Sequence, residues 1–256
     1  MFSKDLMKQT IKDNWKLWLG ITVAVSILTI IVFATLDSGP PEMWHPGANG
    51  GGRPADTMLN QLFGMFAILL PLIYITMTGH KLIAAQVDNG SLAPLMSKPI
   101  TRNQVTLTKM AFFVGSIIAM FTVMMIVGFV MIAVTDPIMR TGEILGYGTF
   151  ALLILGIVCM HLAIAEISFL ASCIFNTSSR SLLVGAGIPV MFFIFNILAT
   201  YFLDVFRFFT IMSLFDVEGI IAHSTNMAWQ FPILLMVAIG CFTAGVLYFK
   251  RKDLPL

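Results

Sequence analysis

Six long apolar runs, none of which alternates polar with apolar residues, decide what this chain can fold into. They lie at about 17–36, 61–79, 110–134, 149–174, 181–203 and 229–249. Each is close to the roughly 20 residues that a helix needs to cross about 30 Å of hydrocarbon. Backbone groups in lipid must be satisfied within the segment, and non-alternating runs do not suit barrel strands. The runs therefore predict an all-α membrane protein, one transmembrane domain over residues 1–256 with six transmembrane helices. Composition agrees: 58% of residues are hydrophobic and 11% charged, against about a quarter charged in an ordinary soluble domain. Mean hydropathy is +0.91. The fourth and fifth runs are parted by the polar stretch Asn176 to Ser181. Read as one, they would run from 149 to 203, far longer than a bilayer requires.

Orientation follows from the cations. Lys4, Lys8, Lys12 and Lys16 precede the first run, and Lys81, Lys98, Arg102 and Lys109 lie between the second and third. Arg180 sits between the fourth and fifth, and Lys250, Arg251 and Lys252 follow the sixth. Arg53, Arg140 and Arg207 fall on the opposite side. The positive-inside rule then places both termini in the cytoplasm, as an even number of crossings requires. The expected location is the cytoplasmic (plasma) membrane. A net charge of +2, with cations scattered over loops, gives no nucleic-acid surface.

The first run is longer than a signal-peptide core and lacks a small-x-small cleavage site after it, so it is expected to be retained. Residues 1–16 carry lysine at every fourth position, with Phe2, Leu6, Ile11 and Trp15 elsewhere on the cylinder. This pattern predicts an N-terminal interfacial helix held by anionic membrane lipids. The outer stretch 37–60 is rich in Gly and Pro and reads as irregular. Residues 204–228 mix Phe206, Phe208 and Phe209 with Arg207, Asp216 and Glu218. Charges interrupt every apolar run there, so short helices at or dipping into the outer surface are expected before the last span. Cys159, Cys173 and Cys241 all fall inside runs and read as small apolar side chains, without disulfide or metal spacing.

The inner loop, residues 80–105, has its own organisation. His80 to Val87 suits a short helix, and Asp88-Asn89-Gly90 is a turn signal. Leu92 to Met96 suits a second short segment, which Lys98-Pro99 ends. Thr101 followed three residues on by Gln104 predicts a capping box at the start of the third span. Structured polar loops of this length more often carry function than merely join spans.

The order AAQVDNGSLAPLMSKPITRNQVTLTK resembles the inner loop of ABC type 2 permeases. In that family an acid-rich helix leads to Gly-Thr-Leu, then Leu-Ser-x-Pro-x-Ser-Arg, then a Lys before the third helix. Here the matching residues are Gly90-Ser91-Leu92, then Met96 to Arg102, then Lys109. Gln86 and Asp88 stand where the family often has Glu before the Gly. The terminus Tyr248 to Leu256 is similar to the family's as well. The resemblance implies the permease subunit of an ATP-driven exporter. It further implies a dimer with a second permease copy or paralogue, bound to two copies of a cytoplasmic ABC ATPase. No GxxxxGK[ST] phosphate loop occurs in the chain, so ATP and Mg are expected on the partner and no cofactor on this chain. The inner loop would be the coupling helix, with Gln86, Asp88, Asn89, Gly90, Ser91 and Leu92 as ATPase contacts. The second and fifth spans would line the dimer interface and path, with 204–228 as the outer gate.

Polar residues inside spans default to functional candidates. His161 and Glu166 lie five positions apart, roughly 140° around a helix, and so do not share a face. Glu166 could pair with Arg180 or reach the inner interface. Asn196 could hydrogen-bond across the dimer or within one bundle. Met120, Met124 and Met131 share one helical face. Thioethers suit Cu(I), but packed or lipid-facing Met is the commoner use, which leaves a metal- or copper-related ABC permease as an alternative. A secondary transporter is a second alternative, with Gly185, Gly187 and Pro189 as the cluster that could break a helix. No HExxH or paired nucleophile and base supports a protease. Phe193, Ile194, Phe195 and Leu198 on the fifth span suggest amphipathic or hydrophobic cargo: a peptide, toxin, drug or lipid.

Overall fold

A computed structural model describes residues 3–39, 53–91, 101–135, 145–222 and 229–252. Among these residues, six helices are long and apolar enough to cross a membrane. Among the described residues there is no strand.

The first helix, α1, spans Lys4–Ser38 without a break. The basic segment expected as an interfacial helix forms its first turns. The physical reason is local. No Pro or Gly precedes Gly20, and Thr10 and Asn14 turn their side chains back onto the carbonyls of Leu6 and Thr10 (2.8 and 2.9 Å), so nothing ends the helix. Thr22 and Thr29 satisfy their hydroxyls in the same way, the arrangement that lets such residues sit in an apolar span.

The second span starts earlier than the apolar run suggests. Helix α2, Pro54–Gln61, begins with Pro at its first turn, the position where a missing N–H costs nothing. It passes through a π-helical turn, Leu62–Phe66, into α3, Ala67–Leu82, which carries Pro71 inside it. Part of the stretch 37–60 expected to be irregular is thus helix, while residues 40–52 lie outside the described residues. At Ile83 the backbone leaves helical geometry (φ −128°, ψ −59°), and a single turn, α4, Ala84–Asp88, follows.

The third span, α5, Arg102–Val134, opens on the expected capping box: the Thr101 hydroxyl accepts from Gln104 N, and the Gln104 carboxamide accepts from Thr101 N. The fourth span, α6, Tyr147–Ile174, is the most buried of the six, with α3, α5 and the fifth and sixth spans packed around it. The fifth, α7, Ser178–Tyr201, carries Pro189. Two 3-10 turns, Asp204–Phe209 and Ile211–Leu214, and α8, Val217–Ile221, precede the last span, α9, Gln230–Arg251. Phe208 is 90% exposed. Met120 and Met124 are buried in the core, where their thioethers act as apolar filler.

One close crossing positions the end of the bundle that carries α4. A Cβ on Gly79 of α3 would stand 2.7 Å from Ser168 Cβ of α6, and one on Gly185 of α7 would stand 3.1 Å from Ser168 Cα. The Ser168 hydroxyl donates to the Gly185 carbonyl. Small residues at membrane helix crossings let backbones approach in this way.

Candidate functional site

The short helix α4 is held by three different spans. Its N-terminus is capped in trans by Ser172 of α6, whose hydroxyl accepts from Ile83 N (3.2 Å) and Ala84 N (2.9 Å) and donates to the His80 carbonyl (3.4 Å). One hydroxyl thereby uses its donor and both of its acceptor positions. Lys109 of α5 has no solvent exposure. Its ammonium donates to the Leu82 carbonyl, which the break at Ile83 leaves open, and to the Gln86 carboxamide oxygen. Asp88 closes the arrangement: its carboxylate accepts from Ser178 N of α7 at 3.0 Å. Thr177, the N-cap of α7, makes no side-chain cap bond. Asp88 therefore supplies from another element both the acceptor and the negative charge that a helix N-terminus favours.

Gln86, read from the sequence as an ATPase contact, accepts from Lys109 of α5, and Asp88, read likewise, is exposed while its carboxylate accepts from Ser178 N of α7. Asn89, Gly90 and Ser91 are exposed. Gly90 adopts φ 66°, a left-handed geometry that the Asp-Asn-Gly turn signal anticipates and that glycine takes without strain. Leu92 lies outside the described residues. A cavity of about 220 Å³ beside α4 is lined by Asp13, Asn14, Lys81, Gln86, Asn89 and Lys109.

A second set of ties joins the same end of the bundle. Lys252, just past α9, donates to the carbonyls of Cys173 (3.0 Å) and Ile174 (2.7 Å) at the end of α6, satisfying acceptors a helix terminus leaves unpaired. Arg102, at the start of α5, donates to the Lys252 carbonyl at 2.7 Å. Burial pulls the Lys252 ammonium below the ordinary lysine value, partly opposed by Cys173.

Ser172 has no place in the sequence reading, and Lys109 and Lys252 enter it only as a motif match and as inner-side cations, without the partners found here. Their signals were weak: a lone lysine seven residues into an apolar helix, and serines four apart in the fourth span.

The intramembrane residues are dispersed. His161 is buried, with Nδ1 2.8 Å from the Ile157 carbonyl and Nε2 3.2 Å from the Ile68 carbonyl of α3, and its ring is 4.9 Å from that of Phe121. It braces α6 against α3 one turn before Pro71. Glu166 has no exposure and faces the Cys241–Phe242 stretch of α9, and its carboxyl oxygens have no side-chain partner among the described residues. Arg180 is exposed and forms no ion pair with it, so the expected pairing is not made among the described residues. Asn196 lies on the wall of a larger cavity near the other end of the bundle. Of the apolar residues expected on the fifth span, Phe193 is buried, Phe195 stacks on Phe206 at 5.8 Å, and Ile194 is exposed.

Among the described residues, six helices long and apolar enough to cross a membrane form one bundle, with a one-turn helix held by the third, fourth and fifth of them. The sequence model for ABC-2 family transporter proteins matches residues 3–254, and the chain belongs to that family. As such it is a membrane subunit that associates with an ABC ATPase and is not itself catalytic. No curated protein matches the chain.

Proposed function

We propose that the chain is the permease of an ATP-driven exporter in the cytoplasmic membrane, with both termini inside the cell. Two copies of the permease, or one with a paralogue, work with two ATPase subunits that bind ATP and Mg. The cargo is amphipathic or hydrophobic. The observation that carries this reading is the clamping of α4 onto three spans at once. A partner shifts a conformational equilibrium only through unequal affinity for its two states. A short helix that is rigidly tied to the spans converts a push on the exposed turn Asn89–Ser91 into movement of α5, α6 and α7. In this reading Asn89, Gly90, Ser91 and Leu92 meet the ATPase, while Gln86 and Asp88 transmit.

Reconstitution in proteoliposomes with the co-purifying ATP-binding subunit tests this. The permease is expected to stimulate ATP hydrolysis. Asp88→Ala should leave assembly intact while removing the cap of α7, worth about 1 kcal/mol, so that stimulation falls about fivefold. Hydrolysis indifferent to the presence of the permease would overturn the reading.

A further inference from the structure

Away from α4, a cavity of about 560 Å³ is enclosed by α2 and the π-helical turn, α7, the short helices after it and the first residue of α9. In a chain that is 58% hydrophobic, its wall is conspicuously polar. Asn60, Gln61, Asn196 and Gln230 contribute carboxamides, and Glu218 a carboxylate. Glu218 Oε1 accepts from Asn60 Nδ2 at 2.8 Å, tying α8 to α2. Asp216 is engaged as the cap of α8, accepting from Gly219 N at 3.0 Å. Arg207, which also lines the cavity, sits 3.5 Å from Asp204 and has its charge matched there.

Gln230 decides the chemistry. It is 8% exposed, and among the described residues its Oε1 has no hydrogen-bond partner. A buried acceptor without a donor is costly and is seldom left so. What it lacks is an N–H or O–H donor, and the carboxylate of Glu218 on the same wall favours a donor that carries positive charge.

We propose that this cavity binds a primary ammonium group of the cargo, donating to Gln230 Oε1 and paired with Glu218. The inference rests on the reading that the chain moves an amphipathic cargo, and it narrows that cargo to amine-bearing molecules. A primary ammonium carries three donors. A quaternary ammonium has the same charge and none, so it fits the charge but not the orphaned acceptor. The group is found on lysine side chains and free N-termini of peptides and on alkylamines alike.

The test uses the full chain in nanodiscs of zwitterionic lipid, with empty nanodiscs subtracted for partitioning. The probes are dodecylammonium, dodecyltrimethylammonium, an amphipathic Lys/Leu peptide and its trimethyl-lysine form. Saturable binding of the primary-amine probes is expected, with the trimethylated forms about tenfold weaker. Gln230→Leu and Glu218→Gln should each weaken binding about tenfold, and Gln230→Glu, which keeps the acceptor and adds charge, should tighten it. Preference for the peptide or for dodecylammonium identifies the source of the amine, and either supports the site. Equal binding of trimethylated and primary probes, or affinities unmoved by all three substitutions, would overturn it. No ATPase takes part, so this result stands or falls apart from the coupling reading.

Discussion

Lys109→Met is expected to abolish stimulated ATP hydrolysis, by more than about tenfold, while leaving the permease inserted and nearly as stable as before. The reasoning turns on two opposed terms. Removing the ammonium strands the Leu82 carbonyl and the Gln86 carboxamide, about 1–3 kcal/mol for each buried group left unpaired. It also ends the burial of a charge that has no exposure, a cost of several kcal/mol for one ion. These nearly cancel, so thermal unfolding in detergent should shift little. Coupling does not share in the cancellation. With Lys109 gone, α4 loses its tie to α5, and the break at Ile83 becomes a hinge. Met keeps the unbranched stem and so the packing. Adding Gln86→Leu should recover any lost stability without recovering stimulation. Full stimulation by the single variant would show that the tie to α5 does not transmit.

The second large effect is steric. Gly79→Ala places a methyl 2.7 Å from Ser168 Cβ and 3.6 Å from Phe113. Carbon atoms need about 3.5–4 Å, so α3 and α6 must separate by about 1 Å. Overpacking of this kind costs about 1–3 kcal/mol. The same separation draws Ser172, one helical turn beyond Ser168, away from the Ile83 and Ala84 amides it caps. Stability and coupling should fall together. Ser168→Gly removes the opposing Cβ and should rescue both in the double variant, less the hydrogen bond from Ser168 to Gly185, about 1 kcal/mol. Thermal unfolding and ATP hydrolysis of the two singles and the double complete the cycle. A double variant no better than Gly79→Ala alone would contradict the crossing.

Much of the fold was legible because it is written locally. Each apolar run states its own length, and Thr101 with Gln104 states its own cap. Asp88-Asn89-Gly90 states its own turn. The basic interfacial segment and the first span share one helix because no residue near Lys16 can end it, although the composition changes there. The start of α2 was obscured by the Gly- and Pro-rich neighbourhood of Pro54. The clamp on α4 was not legible. Ser172 lies about 90 residues from Ile83 and Ala84, and Asp88 lies 90 from Ser178. Such pairings exist only once the spans have packed. The exposed acid of the turn signal reads as a contact for a partner, and its second part, as the cap of a helix of its own chain, is visible only in the packed bundle.

A cysteine at Asn89 tests the central claim most directly. In the reconstituted complex, the Asn89→Cys permease should cross-link to the ATPase subunit through a short bifunctional reagent added from the cytoplasmic side, with a yield that changes when ATP binds. A cysteine there that is labelled from the exterior alone, and that never cross-links to the ATPase, would contradict the account.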